Sequence, residues 1–285
     1  MIKPIFEFLM WENCRNKCSF CFQQDKNQLT DEQKIQSMKA VKWFIDCDPR
    51  FIKGSHVLLV GGELFDSPSI FAPLSSFLSF IVDKMRDNTI DLLYVNTNLI
   101  YKNMDGLYSL LDLIDKYQLF DRLKFTTSYD IAGRFASPKT KYLMLSNLDA
   151  LSTHYPQIKI VVNSMLSKQL CQAILNGEYI LDAFMEFHHC DVNLIPYIVY
   201  DKNLAPTREL VFKALMEADR QCQGYLKRYI ANFDLPQAKE LYQYRDGKLN
   251  YVTCPNNPCG HSENFIRYSD KGSCFICDLK RLFNE

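Results

Sequence analysis

Three cysteines lie within one eight-residue segment of this chain, Cys14-Arg15-Asn16-Lys17-Cys18-Ser19-Phe20-Cys21. The segment follows an apolar stretch that predicts a β-strand over residues 3–12. Thiolate is a preferred iron ligand, and this spacing allows one loop to wrap one cluster. A [4Fe–4S] cluster has four irons, so three cysteines leave one iron open to a small molecule. A zinc ion would need a fourth ligand, and the closest histidine is His56. A structural metal knuckle is the alternative for such a loop.

Strand and helix patterns alternate along the rest of the chain. Strands are predicted at 3–12, 56–60, 90–95, 122–127, 158–162 and 191–198. Helices are predicted at 30–45, 69–86, 105–117, 138–153, 167–176 and 207–231, with a further short helix around 179–187. Thr30 and Gln33 form a capping box for the first helix. The alternation predicts an α/β fold with a parallel sheet, and six units fit a partial (β/α)6 barrel. We expect this barrel to occupy residues 1–232 and a small Cys-rich C-terminal extension to occupy residues 233–285.

Glycine and short polar residues follow the predicted strands at their carboxyl ends, where parallel barrels bind their ligands. They are Gly61, Gly62, Glu63, Asn96, Asn98, Ser128, Asp130 and Asn163. Glycines allow close backbone approach to a ligand, and the polar side chains suit hydroxyl and carboxylate groups. For each polar residue alone, a helix N-cap or an Asx turn is the alternative.

The cysteine spacing, with aromatic Phe20 directly before Cys21, resembles the signature of the radical S-adenosylmethionine (SAM) family. The resemblance implies that Cys14, Cys18 and Cys21 hold a [4Fe–4S] cluster whose open iron binds the amino and carboxylate groups of SAM. An electron from the cluster then cleaves SAM, and the resulting 5′-deoxyadenosyl radical removes a hydrogen atom from the substrate. The family also implies an electron donor of the flavodoxin or ferredoxin type.

The same resemblance implies roles for the residues at the strand ends. The Gly61-Gly62-Glu63 turn looks like the Gly-Gly-Glu element that holds the methionine amino group in this family. Arg134 is predicted to pair with the methionine carboxylate in a bidentate manner. The other predicted SAM contacts are Phe20, Asn96, Asn98, Ser128, Asp130 and Asn163.

Two close cysteine pairs near the end of the chain predict a second metal site formed by Cys254, Cys259, Cys274 and Cys277. Four thiolates satisfy structural zinc. The spacing of Cys259, Gly272 and Cys277 also resembles the opening of the Twitch extension, a shortened SPASM domain that carries an auxiliary iron–sulfur cluster. We favour a second [4Fe–4S] cluster and keep zinc as the alternative.

Composition excludes some classes of function. Lys+Arg and Asp+Glu both total 33, so there is no basic excess of the kind that marks nucleic-acid binding. No apolar run approaches the ~20 residues that span a bilayer. The first eleven residues lack the basic region and cleavage site of a signal peptide. With 11 cysteines, this predicts a reducing, cytoplasmic location.

The sequence therefore predicts a radical SAM enzyme that oxidises, cyclises or cross-links a peptide or protein side chain. One alternative is a radical SAM enzyme for a nucleotide or other small molecule, with a structural zinc tail. A second alternative is a non-catalytic metal-binding protein that binds a partner.

Overall fold

The structure is a computed structural model, and it describes residues 4–21, 28–195, 203–226, 241–245 and 248–252. Its strands are β1 (Ile5–Leu9), β2 (Ser55–Val60), β3 (Ile90–Asn96), β4 (Leu123–Ser128), β5 (Ile160–Met165), β6 (Asp191–Ile195), β7 (Leu241–Arg245) and β8 (Lys248–Val252). Its α-helices are α1 (Asp31–Cys47), α2 (Phe71–Arg86), α3 (Asp105–Lys116), α4 (Pro138–His154), α5 (Lys168–Leu175), α6 (Leu181–His188) and α7 (Arg208–Gln221). Short 3-10 helices at Pro68–Ile70 and Phe120–Arg122 precede α2 and β4.

The described strands form one sheet in the order β6-β5-β4-β3-β2-β1-β7-β8. Strands β1 to β6 pair in parallel with their sequence neighbours, which brings all six carboxyl ends to one edge. This arrangement confirms the predicted α/β fold and is that of a partial barrel. Strand β7 pairs in parallel with β1, and β8 pairs with β7 in antiparallel.

One face of the sheet packs against the helices and forms the core. Phe6 and Phe8 of β1 are buried, and the ring centroid of each lies 5.7 Å from that of Phe44 in α1. Helix α1 begins at the predicted capping box, in which the Gln33 side chain accepts a bond from Thr30 N (2.8 Å) and Gln33 N donates to Thr30 Oγ1 (3.3 Å).

On the opposite face most of the described side chains are at least partly accessible, although His56 of β2 is buried. Glu7, Leu58, Tyr94 and Lys124 are in register across β1 to β4, and strand alternation turns them away from Phe6 and the helices. Lys124 is exposed, and its Nζ lies 5.1 Å from the centroid of the Tyr94 ring.

The structure differs from the predicted elements in several places. Strand β1 ends at Leu9, three residues before its predicted end. Helix α7 ends at Gln221, ten residues before the predicted end, and Gly224 follows it with a φ of +79°. Strand β5 continues to Met165, so Asn163 lies within the strand rather than after it. Strands β7 and β8 fall in a region for which no element was predicted, inside the segment assigned to the extension.

Several predictions lie outside the described residues. These include the domain boundary near residue 232 and the four C-terminal cysteines, Cys254, Cys259, Cys274 and Cys277. Within the described parts of the chain, no helix has the length and apolar character needed to cross a bilayer.

Candidate functional site

The cysteine loop leaves the carboxyl end of β1 and is closed by a side chain. Asn13 Nδ2 donates to Leu29 O at 3.0 Å, and Leu29 N donates to Asn13 Oδ1 at 2.9 Å. Within the loop, Cys21 N donates to Cys18 O at 3.1 Å. Asn13 therefore anchors both ends of the segment that carries the three half-buried cysteines.

Two side-chain amides donate hydrogen bonds to cysteine sulfurs of this loop. Asn98 Nδ2 lies 3.4 Å from Cys14 Sγ, and Asn16 Nδ2 lies 3.2 Å from Cys18 Sγ. Asn98 belongs to the turn after β3, which is separated from β1 by β2, so the tip of a strand two positions away in the sheet touches the cysteine loop. N–H donors directed at sulfur suit thiolates, which are stronger acceptors than thiols.

The cysteine loop offers three thiols, the ligand type that iron–sulfur clusters use. In the part of the chain that the structure describes, no three His, Cys, Asp or Glu side chains are placed to share one metal ion. One tetrahedral ion with bonds of about 2.3 Å would need its sulfurs roughly 4 Å apart. In a [4Fe–4S] cluster each cysteine binds a different iron, so the sulfurs are spread more widely. The three half-buried cysteines of one loop, with amides facing two of them, have the chemistry that such a cluster uses.

The two glycines after β2 pack directly against the start of the cysteine loop. A Cβ on Gly61 would lie 2.3 Å from Trp11 O, and one on Gly62 would lie 2.2 Å from Asn13 O. Gly62 N donates to Trp11 O at 2.7 Å, and Glu63 N donates to Asn13 O at 2.8 Å. Glycine is needed here because the chain approaches its own backbone. From the sequence, approach to a ligand was the expected reason for these glycines, and their contact with SAM stays a prediction.

Glu63 is buried and joins the tip of β2 to the tip of β3. Its Oε1 accepts bonds from Thr97 Oγ1 (2.9 Å) and Phe65 N (3.2 Å), and its Oε2 accepts one from Asn98 N (2.7 Å). Burial raises the pKa of Glu63 to about 7, against the opposing effect of these three donors. The Glu63 carboxyl group therefore fixes the turn that carries Asn98.

Asp130 and Arg134 form a buried ion pair at the tip of β4. Asp130 Oδ2 accepts a bond from Arg134 Nε at 2.6 Å, and Oδ1 accepts one from Met165 N at 2.6 Å. Burial acts to lower the pKa of Arg134, but the charges of Asp130, Cys18 and Cys21 outweigh it and raise this pKa. The pair thus joins β4 to β5 and brings a guanidinium close to two of the thiols.

Phe20 packs against the loop after β4. Its ring lies 5.4 Å from Arg134 Cζ, and it forms a small apolar cluster with Leu204. Ser19 N donates to Gly133 O at 2.7 Å. Gly133 has a φ of +82°, and a Cβ there would lie 2.7 Å from Phe20 Cδ1. This glycine allows the two loops to meet.

The remaining predicted polar residues lie along the strand tips. Asn96 is exposed and ends β3, in register with Thr126. Ser128, Asn163 and Asn193 are in register across β4, β5 and β6. Asn193 Nδ2 donates to Asn163 Oδ1 at 3.1 Å, and Asn193 Oδ1 has no partner among the described residues. These residues form a polar row at the same edge as the cysteine loop.

Sequence reasoning missed three residues of this region. Asn16 lies inside the quoted segment, two positions before the cysteine that it contacts, and Asn13 lies directly before that segment. Asn193 is a polar residue within the last predicted strand, and its alternation with buried Val192 and Leu194 was the signal that could have identified it.

No protein-family model matches the chain, and a search of curated proteins finds no match. Among solved structures, the chain is similar to coproporphyrinogen III oxidase (HemN) from Escherichia coli, which is described as a radical SAM enzyme. The TM-score is 0.51, the identity is 12%, and the match covers 85% of this chain. It spans 62% of that chain, which is less than two thirds of its length. The likeness shows that this chain shares the partial-barrel fold of that protein.

Proposed function

We propose that this protein is a radical SAM enzyme that binds a [4Fe–4S] cluster on Cys14, Cys18 and Cys21 and cleaves SAM reductively. One observation carries the proposal: the cysteine loop, the Gly61–Glu63 turn and the Asn98 turn are hydrogen-bonded to one another at the carboxyl edge of the sheet. The cysteine spacing alone does not require this convergence. The shared fold with HemN supports the same function.

The chain's contribution is to position and shield the cofactors. When bound, the cluster and SAM supply a 5′-deoxyadenosyl radical that removes a hydrogen atom from the substrate. The backbone carbonyls of Gly61 and Gly62 are assigned to the methionine amino group. The free guanidinium nitrogens of Arg134 are assigned to the methionine carboxylate, because Asp130 occupies only Nε among the contacts described. Phe20 and Leu204 exclude water beside the loop.

The polar row at the tips of β4 to β6 is assigned to the nucleoside part of SAM. Ser128, Asn163 and Asn193 offer hydroxyl and amide groups in register, which suit ribose hydroxyls and a base edge. Asp130 has both oxygens bonded within the protein, so its role is to hold Arg134 and the β5 tip in place. Asn96, at the exposed end of β3, completes this edge.

We further propose a peptide or protein side chain as the substrate, with a flavodoxin- or ferredoxin-type protein as electron donor. The resemblance of the C-terminal cysteines to a Twitch extension supports this class. The alternative is a nucleotide or small-molecule substrate, with the C-terminal cysteines binding structural zinc. The zinc and iron contents per chain distinguish zinc from a second cluster at these cysteines.

Anaerobic incubation of the reconstituted, reduced protein with SAM tests the proposed function. We expect 5′-deoxyadenosine from the wild-type chain and none from Cys18→Ala, because loss of one of three thiolates removes the cluster. Cys47→Ala is the matched control, since Cys47 is exposed at the end of α1, and it should retain product formation. Product from Cys18→Ala at the wild-type level, or no product from the wild type, contradicts the proposal.

A further inference from the structure

The two amides that face the cysteine sulfurs are held in place by the fold. Asn98 Oδ1 accepts a bond from Ile100 N at 2.7 Å, which fixes the side-chain oxygen toward the backbone and the amide nitrogen toward Cys14. The Asn98 backbone is itself bonded to Glu63 Oε2 at 2.7 Å. The fold therefore holds the Asn98 amide nitrogen in position to donate to sulfur, while the amide oxygen already accepts the bond from Ile100 N.

A side chain from α4 supports this turn from the outside. Asn147 Nδ2 donates to Leu99 O at 2.9 Å and to Tyr101 O at 2.8 Å. Leu99 is fully buried with a φ of +55°, a conformation that only well-supported non-glycine residues keep. The turn that orients the Asn98 side chain is thus held by Glu63 on one side and by Asn147 on the other.

Asn16 supplies the second donor from within the cysteine loop. Its side chain is 8% exposed, and Nδ2 lies 3.2 Å from Cys18 Sγ. Burial strengthens such a bond, since water competes poorly for either partner. Two of the three sulfurs therefore receive a neutral amide N–H from a defined direction.

We propose that Asn98 and Asn16 set the reduction potential of the cluster on Cys14, Cys18 and Cys21, and that the Asn98 side chain serves the cluster rather than SAM. Hydrogen bonds to the cysteine sulfurs are one of the determinants of cluster potential. Negative charge on the sulfurs grows when the cluster gains an electron, so an N–H donor stabilises the reduced form and raises the potential. This inference rests on the proposed function.

The test compares Asn98→Ser with Asn103→Ser in the full-length, reconstituted protein without SAM. Both asparagines accept a bond from the backbone N–H two residues later, Asn98 from Ile100 and Asn103 from Asp105 (2.8 Å). Serine keeps an oxygen for that bond, adds no charge and removes the amide donor. We expect the reduced-to-oxidised ratio of Asn98→Ser at a fixed potential to fall about tenfold, which equals 59 mV for one electron. Asn103→Ser should match the wild type.

A second variant, Asn16→Ala, gives an independent reading at Cys18. The reduction potential of the cluster in Asn16→Ala should also fall. If Asn98→Ser fails to load a cluster, the potential of Asn16→Ala alone tests the inference. Wild-type potentials in both Asn98→Ser and Asn16→Ala, with SAM cleavage intact in the wild type, overturn this inference and leave the proposed function standing. A wild-type chain that binds no cluster overturns the proposed function itself.

Discussion

Gly62→Ala is expected to destabilise the folded chain by about 3 kcal/mol, the upper part of the usual range for forced overpacking. The added Cβ would lie 2.2 Å from Asn13 O and 2.4 Å from Glu12 O. Both neighbours are backbone atoms, so relief requires the start of the cysteine loop to move away from β2. The same movement should lower the iron bound per chain after reconstitution.

Gly106→Ala is the matched control for this substitution. Gly106 lies in α3, and the nearest atom to an added Cβ is Leu74 Cδ2 at 3.6 Å, an ordinary contact. Alanine is the better helix former, so the control should be neutral or gain up to about 1 kcal/mol. Urea unfolding of the metal-free chain under reducing conditions measures both variants. Equal stability of the two would contradict the packing seen around Gly62.

Glu63→Gln is expected to remove most of the pH dependence of stability between about pH 4.5 and 7. The folded protein keeps the Glu63 proton up to about pH 7, whereas an unperturbed glutamate releases it near 4.5. In this window the unfolded chain binds fewer protons, so the free energy of unfolding falls as the pH rises. A pKa shift of this size lowers the free energy of unfolding by about 3 kcal/mol between the two ends of this pH range. Glutamine does not titrate, so the variant lacks this fall.

The measurement is a set of denaturant unfolding curves at pH 5, 6, 7 and 8 on the metal-free chain. Glu186→Gln serves as the control, because Glu186 is exposed on α6 and its replacement should leave the wild-type profile unchanged. Parallel profiles for Glu63→Gln and the wild type would show that Glu63 does not hold its proton in the folded state.

Much of the barrel could be predicted because its elements are set by local patterns. The apolar run ending at Val60 identifies β2. The helical spacing after Thr30 identifies α1, and the capping box at Thr30 and Gln33 marks the start of that helix. Polar residues at the strand ends are likewise visible in the sequence. Parallel pairing then brings them to one edge without any further information.

The contacts at that edge could not be predicted, because they depend on how neighbouring turns pack. Gly62 is needed for the Asn13 backbone, and the Glu63 carboxylate faces Thr97 and the Asn98 turn. Neither partner is close in sequence. Asn98 was assigned to SAM on its position, and only the turn geometry places its amide on Cys14.

The region after α6 was predicted least well. Helix α7 was predicted to continue to residue 231, whereas it ends at Gln221 and the chain turns at Gly224. Strand β7 is defined by its pairing with β1, a partner more than two hundred residues away in sequence. Such a long-range contact leaves little local trace in the five residues of the strand.

The central claim is that SAM binds an open iron of the cluster. Electron paramagnetic resonance of the reduced cluster, with SAM carrying nitrogen-15 in its methionine amino group, tests this claim most directly. If an iron of the Cys14, Cys18 and Cys21 cluster is open toward the strand tips, the cluster signal should change on adding SAM and show coupling to the labelled nitrogen. A reduced cluster whose signal is unchanged by SAM, with no nitrogen coupling, would contradict the account.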